Sequence, residues 1–229
     1  MTDLESSDNL IQRYLGVQQE VNTLAQAHNR QVKLLAVSKK HTCKSIEAVF
    51  AQGQRAFGEN YVQEGTDKVN ALSHLDIEWH FIGPIQSNKS RSVAEHFAWV
   101  HTIDREKIAQ RLNDQRPESL PPLNVLIQVN ISDQDSKSGV DLTQVDALAN
   151  TIAQLPHLSL RGLMCIPAPQ DDAQLKKEFL AMHQAYKNLQ ASHPSVDTLS
   201  MGMSGDLSLA IECGSNLVRI GTAIFGQRT

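Results

Sequence analysis

The stretch Leu34-Leu35-Ala36-Val37-Ser38-Lys39 decides the fold. Its apolar residues run consecutively rather than alternating, which marks a short strand covered on both faces, as in a parallel sheet. An ammonium group closes the run, at the mouth of that sheet. A lysine held there is partly desolvated, and a desolvated amine is a nucleophile for carbonyl groups. The other reading of Lys39 is a plain one: the first solvated residue of a loop, like Lys40 beside it.

Outward from this stretch the chain alternates between short apolar runs and helical patterns. Before it, Leu10, Ile11, Tyr14, Leu15, Val21, Leu24 and Ala25 predict an amphipathic helix over 8–28. Strands are expected at 32–38, 56–58, 78–82, 99–102, 124–129, 158–164, 198–201 and 217–220. Helices are expected at 45–52, 61–72, 89–96, 105–113, 142–155, 175–190 and 206–212. Eight strands, all but the last followed by a helix, meet the count for one α/β domain: a single (β/α)8 TIM barrel with an extra N-terminal helix, spanning 1–229. An open doubly wound sheet is the structural alternative. The proline-rich segment 115–122 reads as a loop rather than a domain boundary.

Composition narrows the function. A formal net charge of -4 over 229 residues provides no basic field for nucleic acid or anionic lipid, so neither partner is expected. The acidic start Met1-Thr2-Asp3-Leu4-Glu5 lacks the features of a secretory signal, and no apolar stretch approaches membrane-spanning length. Three widely spaced cysteines, Cys43, Cys165 and Cys213, fit a reducing, cytoplasmic setting. The histidines are scattered, and His96 with His101 has the wrong spacing for one helical face, so no metal is expected.

In a parallel barrel the chemistry sits at the C-terminal strand ends. Those ends carry Lys39, Glu59-Asn60, His80, Asn130, Cys165, Met203-Ser204 and Arg219 with Gly221-Thr222. Ser204 with Gly205, and Gly221 with Thr222, fall after the last two strands, where barrels commonly bind phosphate. Turn-forming glycines and helix-capping hydroxyls would give the same pattern. Arg219 lies between Val218 and Ile220 on a strand and needs a partner. That partner is either a carboxylate, Glu59 or Glu212, or a ring nitrogen or carboxylate of a ligand. Strands one and eight are neighbours in a closed barrel, so an amine, a phosphate cup and a ring-facing cation share one rim. That combination describes a pyridoxal phosphate pocket.

These segments resemble the YggS/PROSC family of pyridoxal phosphate homeostasis proteins. The resemblance rests on Leu34 to Lys39, Phe57-Gly58-Glu59-Asn60-Tyr61-Val62-Gln63-Glu64, Trp79-His80-Phe81-Ile82-Gly83-Pro84-Ile85-Gln86-Ser87-Asn88-Lys89, Gly202-Met203-Ser204 with Asp206, and Val218 to Gly226. It implies a barrel like the N-terminal domain of alanine racemase, with the cofactor as a Schiff base on Lys39 and Arg219 facing its pyridine nitrogen. Ser204, Gly221 and Thr222 would hold the phosphate, Met203 would also contact the cofactor, and Asn60 and His80 would line the pocket near the ring. Lys137, in Ser136-Lys137-Ser138-Gly139, is a second basic group near the rim or a solvated loop lysine. Where many members have threonine and then lysine after the Schiff-base lysine, this chain has Lys40-His41.

An arginine at the pyridine nitrogen weakens the electron sink that carbanion chemistry needs. A racemase of this type also needs a second acid/base from an added β domain, for which this chain leaves no room. The expectation is therefore a carrier, not an enzyme: a monomer that buffers pyridoxal 5'-phosphate or delivers it to apoenzymes, indirectly affecting amino-acid and keto-acid pools. The alternatives are a slow pyridoxal phosphate-dependent racemase or lyase, and a cofactor-free aldolase using Lys39.

Overall fold

In the run that opened the sequence, alternate residues belong to different cores. Leu34 and Ala36 join the large apolar layer between sheet and helices, whereas Leu35 packs with Ala56, Leu217 and Ile82 inside the barrel. Both faces are covered, which is why the run needs no polar alternation. The computed structural model describes residues 3–132 and 138–227. Lys137 lies outside the described residues.

The chain begins with α1 (Asp3–Ala27), β1 (Lys33–Val37), α2 (Cys43–Ala51), β2 (Ala56–Glu59), α3 (Val62–Ala71) and β3 (Glu78–Phe81). It continues with α4 (Ser90–His96), β4 (Trp99–Ile103), α5 (Glu106–Gln115), β5 (Leu123–Val129), α6 (Val145–Ala153) and β6 (Leu158–Cys165). The last third holds α7 (Asp172–Ser192), β7 (Thr198–Ser200), α8 (Leu207–Glu212), β8 (Leu217–Ile220) and α9 (Thr222–Phe225). The eight strands close in sequence order into a parallel barrel, and β8 pairs with β1 through Leu35 opposite Arg219. The expected barrel is present, and the doubly wound alternative is excluded by closure.

Element ends differ from the sequence expectation where caps act. Thr42 accepts a hydrogen bond from the Ser45 amide at 3.2 Å and starts α2 early, and Asp171 does the same for α7 through Gln174 at 3.0 Å. The helix expected over 142–155 opens as a 3₁₀ turn, Leu142–Gln144, closed by a capping box from Asp141. The last strand, expected to have no helix after it, is followed by α9. Four residues are too few to show helical periodicity.

Helix α1 lays Leu10, Tyr14, Val17, Val21 and Ala25 as one buried stripe against α2, α8 and α9. Arg13 Nε donates to the Ile224 carbonyl at 2.9 Å, fastening α9 to α1. The extra helix thereby covers the seam where β8 meets β1. Inside the barrel the apolar filling is thin, consisting of the Leu35 cluster and a second group of Trp99, Leu126 and Met164. The remaining interior is polar, with His80, His101, Ser200 and Arg219 all buried.

Candidate functional site

The end of β1 is held by a buried ion pair beneath it. Ser38 donates its hydroxyl to Glu59 Oε1 at 2.6 Å, and its carbonyl accepts from Lys68 Nζ at 2.8 Å and from the His41 amide at 3.0 Å. Lys68, on α3, also pairs with Glu59 at 2.8 Å and Glu64 at 2.7 Å. Glu64 in turn accepts the Lys40 amide. Lys40 adopts a left-handed backbone, φ 64°, which a lysine rarely takes without such support. Ser38 and Lys40 are therefore fixed on either side of Lys39, which is half-buried at the rim. Burial pushes the Glu59 carboxyl up while Lys68 pulls it down, and Glu59 Oε2 is buried without a hydrogen bond.

Arg219 supplies the floor. Its Nη1 donates to Ser200 Oγ at 2.7 Å and its Nη2 to the Cys165 carbonyl at 2.9 Å. The carboxylates proposed from sequence do not serve: Glu59 pairs with Lys68, and Glu212 with Lys176 on the outer surface. Burial lowers the Arg219 pKa, yet a guanidinium stays charged at neutral pH. Burial pushes the Cys165 thiol up to about 12, so it is no nucleophile.

After β7, Gly202 takes a positive φ of 100°, and a Cβ there would meet Ala210 Cβ at 2.6 Å. The turn that follows is closed by Asp206, whose carboxylate accepts the Met203 amide at 2.5 Å. This presents Ser204 outward. Across the rim, Gly221 caps α9, accepting the Ile224 and Phe225 amides at 2.9 Å each, with Thr222 exposed beside it. Near the end of β2, the backbone of Gly83 lies so close to Asn60 that a Cβ would fall 2.0 Å from the Asn60 carbonyl oxygen.

Together these elements enclose a cavity of about 310 Å³ at the C-terminal mouth of the barrel, lined by Lys39, Asn60, Met203, Ser204, Arg219, Gly221 and Thr222 among others. Seven of the eight sequence candidates thus share one cavity. His80 does not line it. Strand pairing sets His80 beside Gly58 and Trp99, fully buried below the cavity, with its ring stacked on Trp99 and hydrogen-bonded to His101 and Glu78. Sequence reasoning overlooked His41, whose ring stacks on Phe225 at 4.9 Å while lining the cavity, and the apolar walls Ile82 and Ile166. It also passed over the clamp formed by Glu59 and Lys68. A charged residue ending the buried run Ala56–Glu59 was the available signal.

The alanine racemase N-terminal domain family matches residues 16–229. The pyridoxal phosphate homeostasis protein of Escherichia coli K12 is 57% identical over 202 residues, 86% of each chain. The chain belongs to the pyridoxal phosphate homeostasis protein family. A solved structure of PipY from Synechococcus elongatus, with PLP bound, is 35% identical to this family member with a TM-score of 0.78, covering 90% of this chain and 99% of that one. An alanine racemase from Corynebacterium glutamicum shares the barrel, with a TM-score of 0.75 over 96% of this chain and 62% of its own, at 17% identity. That likeness concerns the fold alone. Among the described residues lining the cavity of this homeostasis-family barrel there is an amine, a guanidinium, two hydroxyls and no carboxylate, a donor set suited to an anionic aldehyde.

Proposed function

We propose that this chain binds pyridoxal 5'-phosphate in the barrel-mouth cavity and acts in its homeostasis, holding the reactive aldehyde and releasing it to apoenzymes. The observation that carries this reading is the convergence of Lys39, Arg219, Ser204 and Thr222 on one cavity with no carboxylate among its described lining residues. The cofactor offers an aldehyde, with which Lys39 Nζ forms a C=N bond with loss of water. The hydroxyls of Ser204 and Thr222 accommodate the phosphate, and Met203 and Ile82 flank the ring. Arg219, anchored on Ser200 and Cys165, keeps its proton and donates to the pyridine nitrogen. A pyridine that receives a hydrogen bond without a proton is a poor electron sink, which favours storage over turnover.

The family's members are named for homeostasis, and the residues here suit a carrier. No tyrosine lines the cavity; Tyr61 stands 44% exposed beside it, and Tyr14 and Tyr186 are buried among helices. One observation favours a second reading, slow racemisation or lyase chemistry: His41 lines the cavity and could move a proton. Among the described residues no helix is long and apolar enough to cross a membrane. A single domain, working as a cytoplasmic monomer and meeting apoenzymes transiently, completes the proposal.

The test is spectroscopic. Purified protein mixed with pyridoxal phosphate is expected to develop a visible absorption band that borohydride bleaches and that Lys39→Ala lacks. No band in the parent protein would refute cofactor binding, and an unchanged band in the variant would refute the lysine. Holo-protein that reactivates an apoenzyme no faster than it spontaneously releases cofactor would refute delivery. Deuterium entering the α-position of an added amino acid, and lost in His41→Ala, would favour the second reading.

A further inference from the structure

Beneath the cavity a column of polar side chains descends the barrel axis. Arg219 Nη1 donates to Ser200 Oγ at 2.7 Å; Ser200 Oγ and His101 Nδ1 are 3.2 Å apart, and His101 Nε2 and His80 Nδ1 are 2.9 Å apart. His80 Nε2 meets Glu78 Oε1 at 2.7 Å, and the same oxygen accepts Lys33 Nζ. Ser200, His101 and His80 are fully buried, whereas Lys33 and Glu78, the first residues of β1 and β3, reach solvent at the mouth opposite the cavity. The column crosses the whole barrel and draws on five of its strands.

Its proton arrangement follows from the carboxylate end, where the Glu78 anion only accepts and so fixes the proton of a neutral His80 on Nε2. At the other end the guanidinium only donates, so Ser200 Oγ accepts from Arg219 and keeps its own hydrogen available for His101 Nδ1. His101 therefore carries its proton on Nε2 and donates to His80 Nδ1. His80 likewise carries its proton on Nε2 and donates to the Glu78 carboxylate. The reverse order fails at the carboxylate end, where an unprotonated His80 Nε2 would face the Glu78 anion. Burial keeps both imidazoles neutral as this order requires, with His80 lowered to about 4 and His101 lowered well below its ordinary value. Burial raises Glu78, but His80 and Lys33 outweigh it and bring its carboxyl to about 2, leaving an anion to receive the chain.

We propose that Ser200, His101, His80 and Glu78 are positioning residues for Arg219, a one-way chain of donors that anchors the cavity's guanidinium to a carboxylate at the far end of the barrel. The proposal rests on the cofactor reading above, since the group it aims is the one facing the ring nitrogen. It is not a proton wire, because an arginine does not release its proton. What the chain supplies is direction. With Nη1 committed to Ser200 and Nη2 to Cys165, rotation of the guanidinium breaks at least one of these two bonds.

Two measurements test it, the first needing no cofactor. Long-range proton–nitrogen NMR of histidine-labelled apo-protein, assigned with His80→Gln and His101→Gln, is expected to find both rings neutral with the proton on Nε2. A proton on Nδ1 of either ring, or an imidazolium at pH 7, overturns the chain whatever the cavity binds. The second uses loaded protein. Glu78→Leu, at the end away from the cavity, is expected to speed cofactor release about fivefold to tenfold, as losing one anchoring hydrogen bond would. Ser200→Ala does the same and Ser200→Thr, which keeps the hydroxyl, restores the parent rate, so the result survives misfolding of any one variant. Parent release rates in folded Glu78→Leu and Ser200→Ala overturn the proposal while leaving cofactor binding intact. A parent protein without a Lys39-dependent band removes the cofactor reading instead, and the proposal with it.

Discussion

Replacing Lys68 by methionine leaves Glu59, whose side chain has no exposed surface, without its counter-ion. Breaking a buried pair in this way costs about 3–5 kcal/mol. A ceiling comes from Glu59's alternative, which is to take up a proton. From an ordinary value of 4.5, neutralising the carboxyl at pH 7 costs about 1.4 kcal/mol for each of roughly 2.5 pH units, or about 3.4 kcal/mol. The lost bond to the Ser38 carbonyl adds about 1 kcal/mol. A carboxyl whose folded pKa is raised binds its proton more tightly when folded, so the deficit shrinks as pH falls. Urea melts of Lys68→Met should therefore show a loss of about 4 kcal/mol at pH 7 and about 1–2 kcal/mol at pH 5. The double variant with Glu59→Gln should regain part of the loss at pH 7. A loss equal at both pH values, or below about 1 kcal/mol at pH 7, would refute the view that the clamp is an ion pair isolated from water.

Other expectations follow from single contacts. His80 is held neutral by burial with a pKa of about 4, so the unfolded chain binds a proton that the native one refuses; stability is complete above about pH 6.5 and drains toward pH 4, by about 3 kcal/mol. His80→Gln should flatten the stability slope across that window by about 1.4 kcal/mol per pH unit, and an unaltered slope in urea melts would contradict the assignment. Gly83→Ala places a Cβ 2.0 Å from a backbone oxygen and should lower the melting temperature by about 4–8 °C, measured calorimetrically. Arg219→Lys cannot reach Ser200, Cys165 and a ring nitrogen at once; the visible band should still form on Lys39, with release about tenfold faster by stopped-flow.

The barrel was legible because each strand is a short apolar run whose two faces meet different cores, so a single pattern repeats eight times with turns between. The cavity was legible for a related reason: closure brings Lys39 and Arg219 to one rim, and both stand out as charges at the ends of, or within, buried runs. His80 shows the limit. Its motif suggested a cavity residue, but in a barrel the depth of a side chain depends on register between strands, which one sequence does not display. His101 carried a comparable signal, a polar residue inside the buried run Trp99–Ile103. Lys68 carried almost none, since its ammonium leaves a helix to reach the end of another strand. Such contacts are tertiary and have no local signature.

The seam between β1 and β8 has a consequence for how the molecule holds together. It joins segments roughly 180 residues apart, a long loop for the chain to close, and closing it costs entropy. Lys39 follows one side of that seam and Arg219 stands on the other. A molecule tethered to the first and gripped by the second staples the chain's two ends together, so occupancy and folding become linked quantities: each tenfold excess of ligand over its dissociation constant adds about 1.4 kcal/mol to the closed state. The protein's resistance to heat is thereby a readout of how much ligand surrounds it.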